Sequence, residues 1–173
     1  MEELLDIAKY ILPSVVVFAA CFYIIKTFLT EDYRKKMLEL RMGNQKLITP
    51  IKLQAYERIA LFLERIALNN LIVRVYKPGM SARLLQAELL KAIRSEFEHN
   101  LSQQIYLSND SWNATKTAKE EIIKVINIAS SKVSDEANGT DLSKVIFELI
   151  TKVDKLPTEY ALELLKMEIR LVF

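Results

Sequence analysis

The sequence is poor in the residues from which proteins build disulfides, metal sites and phosphate-binding loops. Among its 173 residues there are one Cys, one His, three Gly and four Pro. A single Cys excludes an intrachain disulfide and any zinc site built from cysteines, and a single His excludes every metal or catalytic site that needs two. Three widely spaced glycines cannot spell either glycine-rich phosphate-binding motif. The scarcity of Gly and Pro also argues against a disordered or loop-rich all-β chain.

The charge balance gives no reason to expect a nucleic-acid partner. The chain carries 24 Lys and Arg against 22 Asp and Glu, which is a formal net charge of +2. Domains that bind nucleic acid usually carry a clear basic excess on one face. We therefore expect no nucleic-acid partner, and since no cofactor-binding motif is present we also expect no cofactor.

An uncharged apolar run near the N-terminus predicts a membrane anchor. Residues 10–25 contain no charged side chain and are flanked by Lys9 and Lys26. A bilayer core needs about 20 apolar helical residues, and lysines at the ends can extend to the lipid headgroups. A helix of residues 4–29 is therefore long enough to cross the lipid bilayer, and we expect it to contact lipid along its length. A cleaved signal peptide would instead need a basic start, whereas three acidic residues precede Lys9.

Basic residues after the predicted span set its expected orientation. Five of them lie between the span and position 47, including the basic cluster Arg34, Lys35 and Lys36, whereas only Lys9 precedes the span. Because Lys and Arg near a span stay on the cytoplasmic side, we expect the C-terminal part in the cytoplasm and the N-terminus outside. The basic cluster would then lie at the membrane surface, within reach of anionic headgroups.

The rest of the chain has helical periodicity and predicts an all-α protein. We divide it into a transmembrane anchor (1–30), a stalk and linker (31–48) and a cytoplasmic α-helical domain (49–173). The stalk contains good helix formers up to Gly43, and the following GNQK is typical of a linker. Thr49 and Pro50 have the residue types of a helix start, with Thr as N-cap and Pro in the first turn.

Apolar stripes in the predicted domain indicate a bundle of about four to five helices. A heptad duplication (ERIAL at 57–61 and again at 64–68) puts charged side chains on one face and Ile59, Phe62, Leu63 and Ile66 on the other. Ser81 is expected to cap a helix that runs to about residue 106. Its first four apolar positions are expected to be core, and the positions step by four along the helix: Leu85, Leu89, Ile93, Phe97, Leu101 and Ile105.

The later helices are expected to begin at three further points. Asn109-Asp110-Ser111 precedes a helix starting at Trp112, Asp141 caps the next, and Pro157 begins the last. Asn69-Asn70 is expected to interrupt the first helix of the domain. The periodicity of Leu71–Tyr76 fits a strand and a helix equally well.

Two sequence motifs resemble a known family. The stretches Thr49–Arg58 (TPIKLQAYER) and Glu96–Ser108 (EFEHNLSQQIYLS) resemble a family of uncharacterised single-pass membrane proteins from the Bacteroidota, described only as a domain of unknown function. The resemblance extends over most of the chain. It implies a bacterial inner-membrane protein, and it supplies no activity, substrate or functional residue.

The second motif contains the candidate site residues. Glu96 and His99 lie one helical turn apart and could share a metal ion, but the paired motif of di-metal bundles needs a second His. The surrounding polar residues form a possible partner-binding patch if they are exposed, or a mutually hydrogen-bonded polar layer if they are buried. These residues are Glu98, His99, Asn100, Gln103 and Gln104.

These observations favour a binding protein over an enzyme. We expect a membrane-anchored scaffold or an accessory subunit of an inner-membrane assembly, which binds other proteins of a membrane complex and has no catalytic activity. The alternative is a carboxylate-rich, metal-dependent enzyme that uses Glu96 and His99. A rod-like stator subunit is a third option, which helix breakers such as Gly43 and Pro50 argue against. Association into a homo-oligomer is left open.

Overall fold

A computed structural model describes the backbone of residues 2–172, and their side chains except at residues 2–10, 12, 41, 44, 45, 47 and 172. The described chain contains six α-helices and one 3₁₀-helix and no strand, which confirms the predicted all-α class. The elements are α1 (Glu2–Ile66), α2 (Leu68–Val75), α3 (Ala82–Asn100), the 3₁₀-helix (Leu101–Ile105), α4 (Asn109–Ser131), α5 (Gly139–Ile150) and α6 (Pro157–Val172).

The chain divides into two compact units, Met1–Thr49 and Pro50–Phe173. In the first unit, the segment Pro13–Leu40 has a mean hydropathy of 1.7 and none of it is buried. It is the one described helical segment that is long and apolar enough to cross a membrane, and an N-terminal signal sequence has the same properties. The side chains of residues 4–10 and 12, at the start of the predicted anchor, lie outside the described residues.

The expected break between stalk and domain is not present in α1. The helix start predicted at Thr49-Pro50 was wrong, because α1 continues without interruption to Ile66, and GNQK is helical as well. In a helix interior a Gly costs about 1 kcal/mol and a Pro about 3 kcal/mol relative to Ala, but neither residue forbids helical dihedral angles. Gly43 and Pro50, which were expected to break a long rod, therefore lie inside the helix.

The core of the second unit is built from the apolar stripes that the sequence shows. The four apolar residues of the heptad duplication, at the end of α1, are at most 1% exposed, and Leu85, Leu89 and Ile93 of α3 are fully buried. Phe97, predicted as a core residue, lies at the edge of the core and is only partly buried. In α6 the core residues are Ala161 and Leu165.

Side-chain caps set the starts of three helices. Ser81 Oγ accepts a hydrogen bond from Leu84 N at 3.2 Å, which confirms the predicted cap of α3. The other two helices begin earlier than expected. Ser108 caps α4, four residues before the expected start at Trp112, and Asn138 caps α5, three residues before the expected cap at Asp141. Asp141 is in the first turn of α5, where its charge favours the helix N-terminus. The start of α6 at Pro157 is as predicted.

Helix α2 resolves the segment whose periodicity was ambiguous. Leu71–Tyr76 falls almost entirely within α2, so it is helical. The interruption lies at Ala67, which has extended backbone angles, and not at Asn69-Asn70. Asn70 instead donates its amide to the Glu64 carbonyl oxygen at 2.9 Å, which satisfies a free acceptor near the end of α1. The helix expected to run to residue 106 is α3 only as far as Asn100, and the tighter 3₁₀-helix follows.

Candidate functional site

The polar cluster that was expected to act together is divided by the end of α3. Asn100 and Gln103 are 7% and 9% exposed, whereas Glu98, His99 and Gln104 are exposed. Asn100 donates to the Glu96 carbonyl oxygen at 2.8 Å, and Gln103 donates to Ser102 Oγ at 3.1 Å. The two buried amides therefore stabilise the local chain, and the mutually bonded polar layer that included His99 is not formed. The three exposed residues remain available to a partner.

Glu96 lies between two arginines. Its Oε1 atom is 2.7 Å from Arg65 Nη2 and 3.1 Å from Arg74 Nη1, so α1, α2 and α3 meet at this carboxylate. Arg74 also donates to the Arg65 carbonyl oxygen at 3.1 Å. The two arginine side chains at this carboxylate repel an approaching metal cation. His99, the other proposed ligand, is exposed one helical turn away. Among the described residues, no group of three or more His, Cys, Asp or Glu side chains is placed to hold a metal ion.

A groove with an aromatic floor lies between the 3₁₀-helix and α4. The Phe97 ring stacks on Trp112 with centroids 5.5 Å apart and contacts Phe62 at 5.8 Å. Lys119 Nζ lies 4.2 Å from the Phe97 ring centroid, within range of a cation–π interaction. The groove has a volume of about 570 Å³, and its other lining residues are Leu101, Gln104, Asn113, Lys116, Thr117 and Glu120.

The rim of this groove combines exposed apolar and polar side chains. Leu101 lines it and is 43% exposed, and Ile105 at the end of the 3₁₀-helix is 73% exposed. Gln104 and Lys116 supply hydrogen-bond donors, and Lys116 a positive charge. A surface with apolar residues, an aromatic floor and a few polar groups has the composition of protein-binding sites. Gln104 is the one predicted partner-binding residue that lines the groove.

A hydrogen-bonded carboxylate joins three helices on another part of the second unit. The Tyr56 hydroxyl donates to Glu168 Oε1 at 2.7 Å. The Ser108 backbone N–H donates to the same oxygen at 2.8 Å, and the Ser108 hydroxyl donates to Glu168 Oε2 at 2.7 Å. Tyr56 and Ser108 come from the two motifs that carry the family resemblance. Glu168 therefore connects the two motifs at the N-terminus of α4.

This network shifts the pKa values of two residues in opposite senses. Burial by itself raises the pKa of Glu168, but hydrogen bonds from Ser108, Ser111 and Tyr56 outweigh burial and lower the pKa below its usual value. Burial raises the pKa of Tyr56 well above its usual range, and the hydrogen bond to Glu168 and its negative charge add to this effect. The pair is consequently an ionised carboxylate held by a neutral phenol.

The family of the chain follows from one comparison. The model of a family of unknown function, DUF7935, matches residues 2–172. The chain belongs to this family. Comparisons with curated proteins and with solved structures found no significant match. Both compact units fall within the DUF7935 match, so the apolar N-terminal helix and the helical unit are parts of one family sequence.

The basic cluster of this DUF7935 chain lies in the first unit. Arg34 is 3.9 Å from Glu31 and Lys36 is 2.9 Å from Asp32, one helical turn earlier in each case. These side chains are largely exposed, so the pairs are weak. Lys35 is exposed as well. The cluster therefore presents positive charge that neighbouring acids only partly offset.

Sequence reasoning missed the contacts that depend on distant parts of the chain. Glu168 lies 112 residues from Tyr56 and 60 residues from Ser108, and no local pattern marks it. Arg65 and Arg74 belong to ordinary amphipathic stretches, and no local pattern marks Glu96 as their shared partner. The one available signal was that Tyr56 and Ser108 each lie in a family motif.

Proposed function

We propose that this protein is a membrane-anchored scaffold or accessory subunit that binds other proteins and has no catalytic activity of its own. The first unit is the single-pass anchor in a bacterial inner membrane, with the N-terminus outside. The second unit is cytoplasmic, and the groove floored by Phe97 and Trp112 is its partner-binding site.

The anchor is supported by residues 13–25, which carry no charge and are exposed along their whole length. A helix exposed and apolar on all sides has no stable place in water unless something covers it. Its Ser and Thr hydroxyl groups bond within the helix: Ser14 donates to the Ile11 carbonyl oxygen at 2.7 Å and Thr27 to that of Tyr23 at 2.9 Å. Internal hydrogen bonding of this kind is what a lipid environment requires. The basic cluster at Arg34, Lys35 and Lys36 supports the cytoplasmic orientation of the residues that follow.

The observation that carries the binding function is the groove itself. Its aromatic floor provides a rigid apolar surface, and Leu101 and Lys116 line the same groove. Charge complementarity then defines the occupant: a segment of a partner protein that places an apolar side chain on the floor and an acidic side chain next to Lys116. The metal-dependent alternative loses support, because Arg65 and Arg74 already occupy the carboxylate of Glu96.

Site-specific photo-crosslinking in living cells tests this binding site. A photoreactive residue at Leu101 is expected to give one discrete crosslinked partner band. The matched control is Leu84, which lies on α3 outside the groove and is 48% exposed, close to the 43% of Leu101. Because the two positions have similar exposure, a difference in crosslinking yield would arise from binding at the groove and not from side-chain accessibility.

Charge reversal identifies the chemistry of the partner. Lys116→Glu is expected to abolish the crosslinked band, because it would repel an acidic partner side chain, while Lys116→Arg keeps it. Lys91→Glu, which reverses an exposed charge on α3, is the control and should leave the band unchanged. Equal crosslinking at Leu101 and Leu84, or a band that survives Lys116→Glu, would refute the groove as the docking site.

A further inference from the structure

Helix α6 has a second apolar face that the core does not use. Tyr160, Leu164, Met167 and Leu171 are separated by four, three and four residues, which aligns them along one side of the helix. Tyr160, Met167 and Leu171 are 56%, 53% and 88% exposed, and Leu164 is partly buried. The core face of the same helix is a different one, since Ala161 and Leu165 are buried at 1% exposure.

This α6 stripe has the spacing of a helix-pairing seam. Isolated exposed apolar residues are normal on protein surfaces, but four in register over three turns form a continuous surface. Alternating separations of three and four residues are the repeat by which two helices interlock their side chains. The stripe therefore has the geometry to pack against another helix.

We propose that the α6 stripe pairs with the same stripe of a second copy of this chain, with the two helices antiparallel. The four positions are symmetric about the midpoint between Leu165 and Lys166. In an antiparallel pair, Tyr160 of one copy therefore packs near Leu171 of the other, and Leu164 packs near Met167. A twofold axis makes both halves of such a contact identical, as a closed dimer requires.

The charges beside the stripe favour this partner and this direction. Glu163 and Arg170 both flank the stripe on the same side and are exposed. Glu163 also pairs with Lys155 of its own chain, whose Nζ lies 5.8 Å from the Tyr160 ring centroid, so an Arg170 of the second copy would join or replace that lysine. In the antiparallel pair Glu163 of each copy lies next to Arg170 of the other, so two opposite-charge contacts form by symmetry. A parallel pair would keep Glu163 of one copy about 10 Å along the axis from Arg170 of the other, since seven residues separate the two positions.

The seam is short, which bounds the strength of the dimer. A standard stable interface buries about 800 Å² on each partner, and one stripe of four side chains buries less. We therefore expect a dissociation constant in roughly the micromolar range for the purified full-length chain in detergent. This dimer is independent of the groove and of its proposed partner.

Disulfide crosslinking of the full-length chain tests both the contact and its direction. Cys21, the single cysteine, is first removed by Cys21→Ala. Differently tagged Tyr160→Cys and Leu171→Cys chains are then mixed in detergent and oxidised. In an antiparallel pair two copies of position 160 are separated by roughly 16 Å along the axis, from eleven residues at 1.5 Å each, whereas a disulfide needs Cα atoms within about 7 Å.

The expected result is a crosslink between the two different variants at least about tenfold above that of Tyr160→Cys with itself. Lys166→Cys, at an exposed position of α6 away from the stripe, is the matched control and should give only background. A dominant Tyr160→Cys self-crosslink would overturn the antiparallel direction. Yields at the stripe no higher than those of Lys166→Cys would overturn the pairing.

A charge-swap cycle separates pairing from simple loss of structure. Glu163→Lys and Arg170→Glu are each expected to weaken dimerisation about tenfold, because each creates two like-charge contacts, while the double variant restores it. Sedimentation of the full-length chain measures the dimer, and circular dichroism verifies that each variant is folded. Failure of the double variant to recover, with its helical signal intact, would refute the Glu163–Arg170 contact.

Discussion

Replacing Tyr56 by Phe tests the carboxylate network that joins α1, α4 and α6. Tyr56 is 1% exposed, and its hydroxyl lies 2.7 Å from Glu168 Oε1. Tyr56→Phe keeps the ring and removes only the donor. A hydrogen bond to a charged group contributes about 1.5–3 kcal/mol. Because Ser108 still gives Glu168 two donors, we expect the lower end, a loss of about 1.5 kcal/mol in the free energy of unfolding.

Trp112 provides a specific probe for this measurement. It is the single tryptophan of the chain and is 8% exposed in the second unit, against the Phe97 ring. Its fluorescence during urea unfolding of the full chain in mild detergent therefore reports the second unit alone. Tyr160→Phe is the matched control, since Tyr160 is exposed on α6, and surface changes of this kind usually stay within about 0.5 kcal/mol.

A double-mutant cycle with Glu168→Gln shows whether the two groups act together. Residues in one hydrogen-bond network have coupling energies of about 0.5–3 kcal/mol, whereas independent sites add to within about 0.5 kcal/mol. We expect a coupling of about 1 kcal/mol between Tyr56→Phe and Glu168→Gln. The reasoning would be refuted if Tyr56→Phe unfolded at the same urea concentration as Tyr160→Phe, or if the two losses were additive.

The lowered pKa of Glu168 fixes the pH dependence of this contribution. A carboxyl whose pKa is lower in the folded chain stabilises the fold above its unfolded pKa, about 4.3 for Glu, and loses that effect as the pH falls through the folded pKa. The stability difference between the wild type and Glu168→Gln should therefore be constant above about pH 6 and shrink below about pH 4. A difference that persists undiminished at pH 3 would contradict the assignment.

Three further predictions address the rest of the chain. An alkaline phosphatase reporter fused after Phe173 should be inactive if the C-terminal side is cytoplasmic, as we propose, and an active reporter would reverse the proposed topology. Residues 44–173 should fold alone as an α-helical domain. In this domain Phe97→Ala should lower the free energy of unfolding by about 3 kcal/mol, because the ring packs on Trp112 and Phe62 but is only partly buried. An unchanged urea midpoint would argue against that packing. His99→Gln should leave crosslinking from Leu101 unchanged, whereas stoichiometric iron, manganese or zinc that is lost in this variant would restore the metal-dependent alternative.

Local patterns predicted the helices well because helix formation depends on neighbours along the chain. The all-α class, the buried stripe at Ile59 and Phe62, the cap at Ser81 and the start at Pro157 all follow from residues within one or two turns. Helix boundaries were less accurate. At α5, Asn138 and Asp141 are both good capping residues, and only the observed hydrogen bond from Asp141 N to Asn138 Oδ1 at 3.0 Å decides between them.

Continuity of α1 shows where local reasoning fails. Gly43 and Pro50 both lower helix propensity, and together they predicted a break in the helix that is not present. Propensity is a weak preference of a few kcal/mol at most, which good helix formers on either side can exceed. The sequence therefore identified the two residues that disfavour a helix, but it did not show that the helix continues through them.

The candidate surfaces needed the tertiary structure, because exposure and partners depend on residues far apart in sequence. The sequence identified a polar cluster at the end of α3, and only packing separated its buried amides from exposed His99 and Gln104. It likewise contained Tyr160 and Met167 at helical spacing, which is equally typical of a core face and of an outer one. Only the burial of Ala161 and Leu165 shows that the core takes the other side of α6 and leaves this stripe outside.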